Sequence, residues 1–183
     1  MRRLLQHPGL TSFVAVVFLN AFVDLGHKIT VQNTLFKVFD GGTQTALIAV
    51  VNALILLPFV MVFTPAGFLS DRFAKPRIMR ISAVVAVILS LAITACYYLG
   101  WFWPAKFGAI RELVGADALA RANGLVQATT IIAILGATFA FSLAFEALLP
   151  APTPSAAGDV LTTVAPLGWF LVIGSAVELL LTF

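Results

Sequence analysis

Apolar residues run along this chain in five long stretches that are separated by short polar or basic linkers. The stretches cover approximately residues 10–31, 46–67, 81–100, 122–145 and 161–183. Each is about as long as the 20 or so apolar residues that a helix needs to cross a bilayer. The second, third and fourth stretches contain no charged residue. The pattern therefore predicts an all-α fold, a multi-pass transmembrane helical bundle.

Composition supports the membrane prediction. Of the 183 residues, 61% are apolar and 10% are charged, and the mean hydropathy is +1.04. A soluble domain carries about 25% charged residues, so this chain cannot build a water-facing surface. The net charge is +3, but the basic residues lie in linkers, which excludes the basic face that nucleic-acid binding needs. The single cysteine, Cys96, excludes an intrachain disulfide and a cysteine-based metal site, and no cofactor is expected.

The basic residues of the linkers predict the orientation of the spans, because Lys and Arg are enriched in short cytoplasmic loops. Arg2 and Arg3 place the amino terminus in the cytoplasm, and linker 71–80, with four basic residues, returns to that side. With five spans, the basic linker 101–121 would lie outside, against the rule. A missing span of about 20 residues between positions 100 and 101 would restore the rule. A five-span protein with one atypical loop remains the alternative.

Polar residues on the first span form the most informative cluster. Asn20, Asp24, His27 and Lys28 fall within an arc of about 100° on one helix face. A carboxylate this deep in the bilayer should face a cavity or a partner, which predicts that the cluster lines a translocation path. The alternative is an ion pair between Asp24 and Lys28, with the lysine reaching the interface. His27 is a weaker candidate for a proton role.

A second cluster lies in the linker after the second span, Gly67-Phe-Leu-Ser-Asp-Arg-Phe-Ala-Lys-Pro-Arg77. Its glycine permits close helix approach, and its aspartate can complement the positive end of a neighbouring helix. The three basic side chains suit lipid headgroups or carboxylates. The residues of this loop motif are Gly67, Asp71, Arg72, Lys75 and Arg77, and a generic basic cytoplasmic loop is the alternative.

The loop motif resembles the signature between the second and third helices of the major facilitator superfamily, Gly-x-x-x-Asp-(Arg/Lys)-x-Gly-(Arg/Lys)-(Arg/Lys). The positions that match are Gly67, Asp71, Arg72 and Lys75. Ala74 replaces the second glycine and Pro76 replaces a basic residue. The resemblance implies the amino-terminal half of a major facilitator fold, and it implies that the loop controls the conformation of the carrier.

Two further stretches resemble the lysophospholipid transporter branch of that family. Asn20-Ala-Phe-Val-Asp24 is similar to its Ala-Phe-x-Asp segment in the first helix. Pro104-Ala-Lys-Phe-Gly108 is similar to its Pro-x-Lys-(Tyr/Phe)-Gly segment, which a full fourth helix precedes in the family. The resemblance implies that Asp24 and Lys106 lie on the translocation path. For Lys106, a basic anchor at the membrane surface is the alternative.

The resemblance implies a secondary transporter that moves lysophospholipids across the bacterial inner membrane by alternating access. Its partners would be the lipid substrate, membrane lipids and the carboxyl-terminal half of the same transporter. The loop motif does not define the substrate, so a carrier for a drug or another small solute stays open. So does a membrane anchor or scaffold of a lipid-acylating enzyme. The sequence contains no recognisable catalytic set of residues, so an enzyme is not expected. Some relatives are fused to an acyltransferase, and this sequence shows no trace of that enzyme.

The last two spans each carry one further feature for which the sequence predicts a location or a role. Glu178 is expected at headgroup level near the cytoplasmic interface, where a charge is tolerated. Small residues on one side of the stretch 122–145 predict a helix-packing stripe. The stripe consists of Ala133, Ala137, Ala140 and Ala144.

Overall fold

A computed structural model describes residues 8–72, 74–101, 120–149 and 156–183 of the chain, and only the backbone at 8–10, 55–56, 58–71, 75–76 and 120–123. These residues form α-helices almost throughout. The helices are α1 (Pro8–Val38), α2 (Gly41–Arg72), α3 (Lys75–Tyr98), α4 (Ala120–Leu148), α5 (Ala157–Val164) and α6 (Leu167–Leu181). Within the described ranges, three helices are long and apolar enough to cross a membrane, and α5 with α6 adds a fourth span if the bent pair counts as one.

The helices extend beyond the apolar stretches that predicted them. The first stretch, 10–31, lies inside a helix that runs from Pro8 to Val38, because the polar residues that follow continue the same backbone hydrogen bonding. The last stretch, 161–183, is interrupted. Pro166 lies at the break between α5 and α6, where the axis bends by 52°. Proline has no N–H for the helix ladder, so this position favours the bend.

The surface of the bundle is strongly apolar, and its interior holds polar side chains among apolar ones. Large apolar side chains are exposed along α4 and α6, among them Ile132, Leu135, Phe139, Phe170 and Leu180. Buried polar side chains include Asn20, His27, Thr30, Thr34, Ser90, Thr94, Ser175 and Glu178. Soluble proteins rarely expose apolar patches of this extent, whereas a hydrocarbon solvent favours them. The prediction of an all-α, multi-pass membrane bundle is confirmed.

Helix α1 lies at the centre of the bundle. It packs along α4 on one side and along α6 on another, and α3 packs along α6. Close approach depends on glycine: a Cβ added to Gly26 of α1 would lie 2.4 Å from ring atoms of Phe141 on α4. The packing stripe on α4 is buried in part, since Ala133 and Ala137 are fully buried and Ala140 is exposed.

The contacts between helix ends show which helices run in the same direction. At one end of the bundle, here called the Arg80 end, residues from the starts of α1 and α3 meet the end of α6: Ser12, Phe13, Met79, Thr182 and Phe183 surround one cleft. At the opposite Glu146 end, the ends of α1 and α4 meet in an ion pair between Lys37 and Glu146. Helices α1, α3 and α4 therefore run parallel, and α6 runs antiparallel to them.

Two glycines with positive φ define the turns at the Glu146 end. Gly41 (φ +62°) follows the two-residue connection from α1 to α2, where the Gln44 amide donates to the carbonyl oxygen of Phe39 over 2.6 Å. Gly100 (φ +67°) ends α3 in a Schellman motif, with Trp101 N–H bonded to the Cys96 carbonyl over 2.9 Å. Gly100 also contacts the backbone of Gly158, where a Cβ would lie 3.1 Å from the carbonyl oxygen.

Two glycines on the interface of α1 and α4 provide a matched test of this packing. In Gly26→Ala, the new methyl would lie 2.4 Å from atoms of the Phe141 ring, so this ring must shift from its packed position, and we expect a loss of about 1–3 kcal/mol in stability. In Gly136→Ala, the nearest atom lies 3.8 Å away, and the better helix propensity of alanine should leave stability equal or higher. Thermal unfolding in detergent measures both variants. Equal midpoints would contradict the assigned packing of α1 on α4.

Candidate functional site

Asn20 of α1 and Glu178 of α6 form a buried polar pair. The Nδ2 of Asn20 donates a hydrogen bond to Oε1 of Glu178 over 3.3 Å, and the two residues are 8% and 4% exposed. Lipid supplies no hydrogen-bond partner, so each of these side chains gains in the other a polar contact between the two helices. The pair links the first span to the last described span.

His27 and Tyr97 form a second buried pair, between α1 and α3. The Nδ1 of His27 and the hydroxyl of Tyr97 are hydrogen bonded, and the two rings are stacked with centroids 5.8 Å apart. Tyr97 is fully buried and His27 is 2% exposed. An imidazole can carry or pass a proton, and a proton role for His27 stays a prediction.

Hydroxyl groups satisfy the remaining polar positions of the interior. Ser90 of α3 and Ser175 of α6 share a hydrogen bond of 2.8 Å. The hydroxyls of Thr30 and Thr34 donate to carbonyl oxygens four residues earlier on α1, over 2.8 and 2.9 Å. Such bonds to the same helix are the usual way in which a buried threonine avoids an unsatisfied hydroxyl. These hydroxyls in the interior of α1, α3 and α6 are thus hydrogen bonded within the protein.

The predicted polar face of α1 divides in two. Asn20 and His27 are buried and paired with other helices, whereas Asp24 and Lys28 are half-buried at the edge of that face. Near the end of α1, Lys37 forms an ion pair with Glu146 of α4 over 2.9 Å. A translocation path and a local pair with Lys28 both remain predictions for Asp24.

The residues of the loop motif lie away from this interior. Gly67 and Asp71 occupy the last turns of α2 and Lys75 begins α3, with Arg72 and Arg77 exposed beside them. The loop motif thus lies where α2 passes into α3, at the Arg80 end of the bundle, and it is not part of the cluster on α1. Lys106 lies outside the described residues.

Glu178 is the residue that sequence analysis placed wrongly. It was expected at headgroup level, yet it is buried against α1. Its spacing from Ser175 held a signal, because positions three apart share a helix face, and a serine and a glutamate on one face of an apolar helix mark that face as internal. Tyr97 was missed as well, since nothing in the sequence connects it to a histidine 70 positions away.

An apolar cleft adjoins the polar interior. It lies between α1, α4 and α6, has a volume of about 110 Å³, and is lined by Phe22, Ala140, Phe141, Ala144, Leu167 and Phe170. Two alanines of the packing stripe thus leave space instead of filling it. The described residues contain no group of three or more His, Cys, Asp or Glu side chains that could hold a metal ion.

The fold and these pairs define a class: a multi-pass helical membrane protein with hydrogen-bonded polar pairs between its helices. The chain is similar to curated proteins named lysophospholipid transporter LplT. It is 33% identical over 141 residues to the one from Photorhabdus laumondii subsp. laumondii, 32% to that from Citrobacter koseri, and 33% to that from Salmonella schwarzengrund. Each alignment covers 69% of this chain and 34% of the relative, so the chain spans about a third of the length of its curated relatives.

The chain is therefore a homologue of the lysophospholipid transporters, and the resemblance found in its motifs is confirmed. These relatives are named as transporters and not as enzymes. No family model matches the chain, and no solved structure matches it.

Adjacent tyrosines on α3 allow the buried His27 pair to be tested. Tyr97→Phe removes the hydroxyl that His27 contacts in the interior, so we expect a loss of about 1–3 kcal/mol in stability. Tyr98→Phe removes a hydroxyl that accepts a bond from the Trp169 indole N–H at an exposed position, so its effect should be below about 1 kcal/mol. Thermal unfolding in detergent compares the two variants. A larger effect at Tyr98 would refute the assigned pair.

Proposed function

We propose that this chain forms the amino-terminal half of a major facilitator transporter that moves lysophospholipids across the bacterial inner membrane by alternating access. The similarity to proteins named as lysophospholipid transporters carries the proposal. It is supported by a membrane bundle whose central helix brings polar side chains to the interior. The carboxyl-terminal half would supply the second bundle, and the substrate would pass between the two.

Asp24 is the residue that we assign to the substrate path. It lies one turn from Asn20 along α1. Its side chain is half-buried, whereas those of Asn20 and His27 are buried inside the bundle. A partly accessible acid within a membrane span suits the ammonium of an ethanolamine headgroup. We assign Lys106 to the lipid phosphate, which a lysine binds as a point charge. The loop motif at the junction of α2 and α3 would hold one conformation of the carrier.

We also propose that the transporter fold contains a further crossing between α3 and α4. Spans that are joined directly by a loop run antiparallel, yet α3 and α4 run parallel. The intervening residues 102–119 include Lys106, Arg111, Glu112 and Asp117, and four charges are too costly for a helix that faces lipid. A span of about 20 residues between positions 100 and 101 would satisfy both the helix directions and the distribution of basic loops. The amino terminus would then be cytoplasmic.

Replacement of Asp24 tests its assigned place on the path. We expect Asp24→Asn to reduce uptake of labelled lysophosphatidylethanolamine by at least about tenfold, which corresponds to about 1.4 kcal/mol, because the headgroup loses its counter-charge. The measurement is uptake into spheroplasts that express the protein, with membrane insertion checked by fractionation. Asp40→Asn is the matched control, since this acid is exposed in the turn after α1. Undiminished uptake by Asp24→Asn, or tolerance of an apolar residue there, would favour a scaffold instead.

The substrate class is tested in the same assay by competition. Unlabelled lysophospholipids should suppress uptake of the labelled lipid, and soluble drugs or metabolites should not. Suppression by a soluble solute alone would indicate a carrier for that solute, the alternative that the loop motif leaves open.

Labelling of single cysteines tests the helix directions and the extra crossing. Cys96 is the only cysteine, so Cys96→Ser provides a background without thiols. We expect a membrane-impermeant maleimide to label intact spheroplasts at Asp40→Cys and at Leu99→Cys, which is exposed at the end of α3, and to label Arg77→Cys and Gly124→Cys only after lysis. Labelling of Leu99→Cys and Gly124→Cys from the same side would exclude the additional crossing.

A further inference from the structure

The cleft at the Arg80 end of the bundle combines apolar and polar surface. It lies between the starts of α1 and α3 and the end of α6, and its volume is about 380 Å³, within the range of about 300–1,000 Å³ that is usual for ligand sites. Apolar side chains, among them Phe13 and Met79, form most of its wall, and Ser12 and Thr182 contribute polar atoms. Such a surface suits an amphipathic molecule.

Arg80 is held beside this cleft by two contacts with the end of α6. Its Nε donates a hydrogen bond to the carbonyl oxygen of Thr182 over 3.1 Å, and its guanidinium carbon lies 4.6 Å from the centroid of the Phe183 ring. Thr182 and Phe183 also line the cleft. A guanidinium has five N–H donors, and the bond to Thr182 uses one of them. The contacts therefore fix a cation at the edge of the cleft in a form that can bind the oxygens of a phosphate.

The two ends of the bundle differ in charge. Segment 71–80, at the Arg80 end, carries four basic residues and one acid. The described residues of the opposite end include three acids beside one base, namely Asp40, Glu146, Asp159 and Lys37. An anion is therefore favoured at the Arg80 end, and the same cations disfavour a headgroup that carries an ammonium.

We propose that this cleft binds an anionic glycerophospholipid of the adjacent leaflet, with the lipid phosphate at Arg80 and part of an acyl chain along the apolar wall. A free phosphate would leave the apolar wall unused, and a zwitterionic lipid would gain less from the excess of basic residues. A diacyl lipid is also abundant at this level of the membrane, where arginine side chains reach the headgroups.

The lipid site is separate from the proposed substrate path. Ser12 lies about 18 Å before Asp24 along the axis of α1, at 1.5 Å per residue. Glu178 of α6 lies one turn deeper than Thr182 and is hydrogen bonded to Asn20. Because α1, α3 and α6 all line the cleft, one bound lipid would join the ends of these three helices. This inference does not depend on which solute the protein carries.

Native mass spectrometry of the full chain in detergent tests the site. The protein is titrated with phosphatidylglycerol, or with phosphatidylcholine as the zwitterionic control, and the dissociation constant of the first bound lipid is measured. We expect phosphatidylglycerol to bind saturably and at least about fivefold more tightly than phosphatidylcholine. Arg80→Gln should weaken its binding at least about tenfold, because charge-assisted hydrogen bonds to the phosphate are lost. Arg77→Gln, which removes the same charge from an exposed position on α3, should weaken it less than about threefold.

Two substitutions at adjacent positions of α1 test whether the lipid enters the cleft. Ser12→Phe places a ring in the space that the lipid would use, so we expect the saturable site to be lost. Thr11→Phe adds the same ring at an exposed position beside it and should leave the site intact. This pair keeps the proposal testable if Arg80→Gln does not fold.

Several results would overturn the proposal. Equal weakening by Arg77→Gln and Arg80→Gln would indicate a diffuse attraction to basic residues instead of a site. Equal binding of the two lipids, or an intact site in Ser12→Phe, would also refute it. Displacement of the lipid by inorganic phosphate would identify a site for free phosphate, and a dimer that excludes lipid would show that a second copy of the chain fills the cleft.

Discussion

The lack of water around the bundle is the constraint that determines how its helices are joined. In lipid, apolar side chains gain nothing by leaving the solvent, so helices associate through close packing and hydrogen bonds between them. Three buried polar pairs meet this requirement for α1, α3 and α6. They are Asn20 with Glu178, His27 with Tyr97, and Ser90 with Ser175. Each pair joins a different combination of two helices, so the three helices form one connected unit.

These bonds require close helix approach, which glycine provides. A serine hydroxyl reaches only a short distance, and the 2.8 Å bond between Ser90 and Ser175 needs α3 and α6 to lie close together. Gly168 permits this, since a Cβ there would lie 2.6 Å from side-chain atoms of Thr94. Gly174 does the same for α6 on α1, where a Cβ would lie 2.5 Å from Val23. Polar pairing and small residues therefore act together in this bundle.

The helices and the shared face of Asn20 and His27 could be predicted from the sequence for the same reason. Both follow from the spacing of residues that are close together along the chain. Apolar stretches of membrane length defined the spans, and helical spacing placed Asn20 and His27 on one face. The partners of these two residues lie 158 and 70 positions away, and local spacing carries no information about which helices will be neighbours. Glu178 was misplaced for the same reason. Its depth was judged from its distance to the end of a stretch, whereas its environment depends on how α6 packs on α1.

The geometry of α1 relates its structural role to the proposed path. At 100° per residue, Asp24 is displaced by about 40° from Asn20, which faces α6, and by about 80° from Gln32, which bonds to Asn52 of α2 over 3.3 Å. Asp24 therefore lies between the face of α1 that contacts α6 and the face that contacts α2. A further span between α3 and α4 that packed between α2 and α6 would lie next to this acid. The proposed crossing and the proposed path thus concern the same side of α1, while Gly26, about 160° away from Asp24, packs the opposite side against α4.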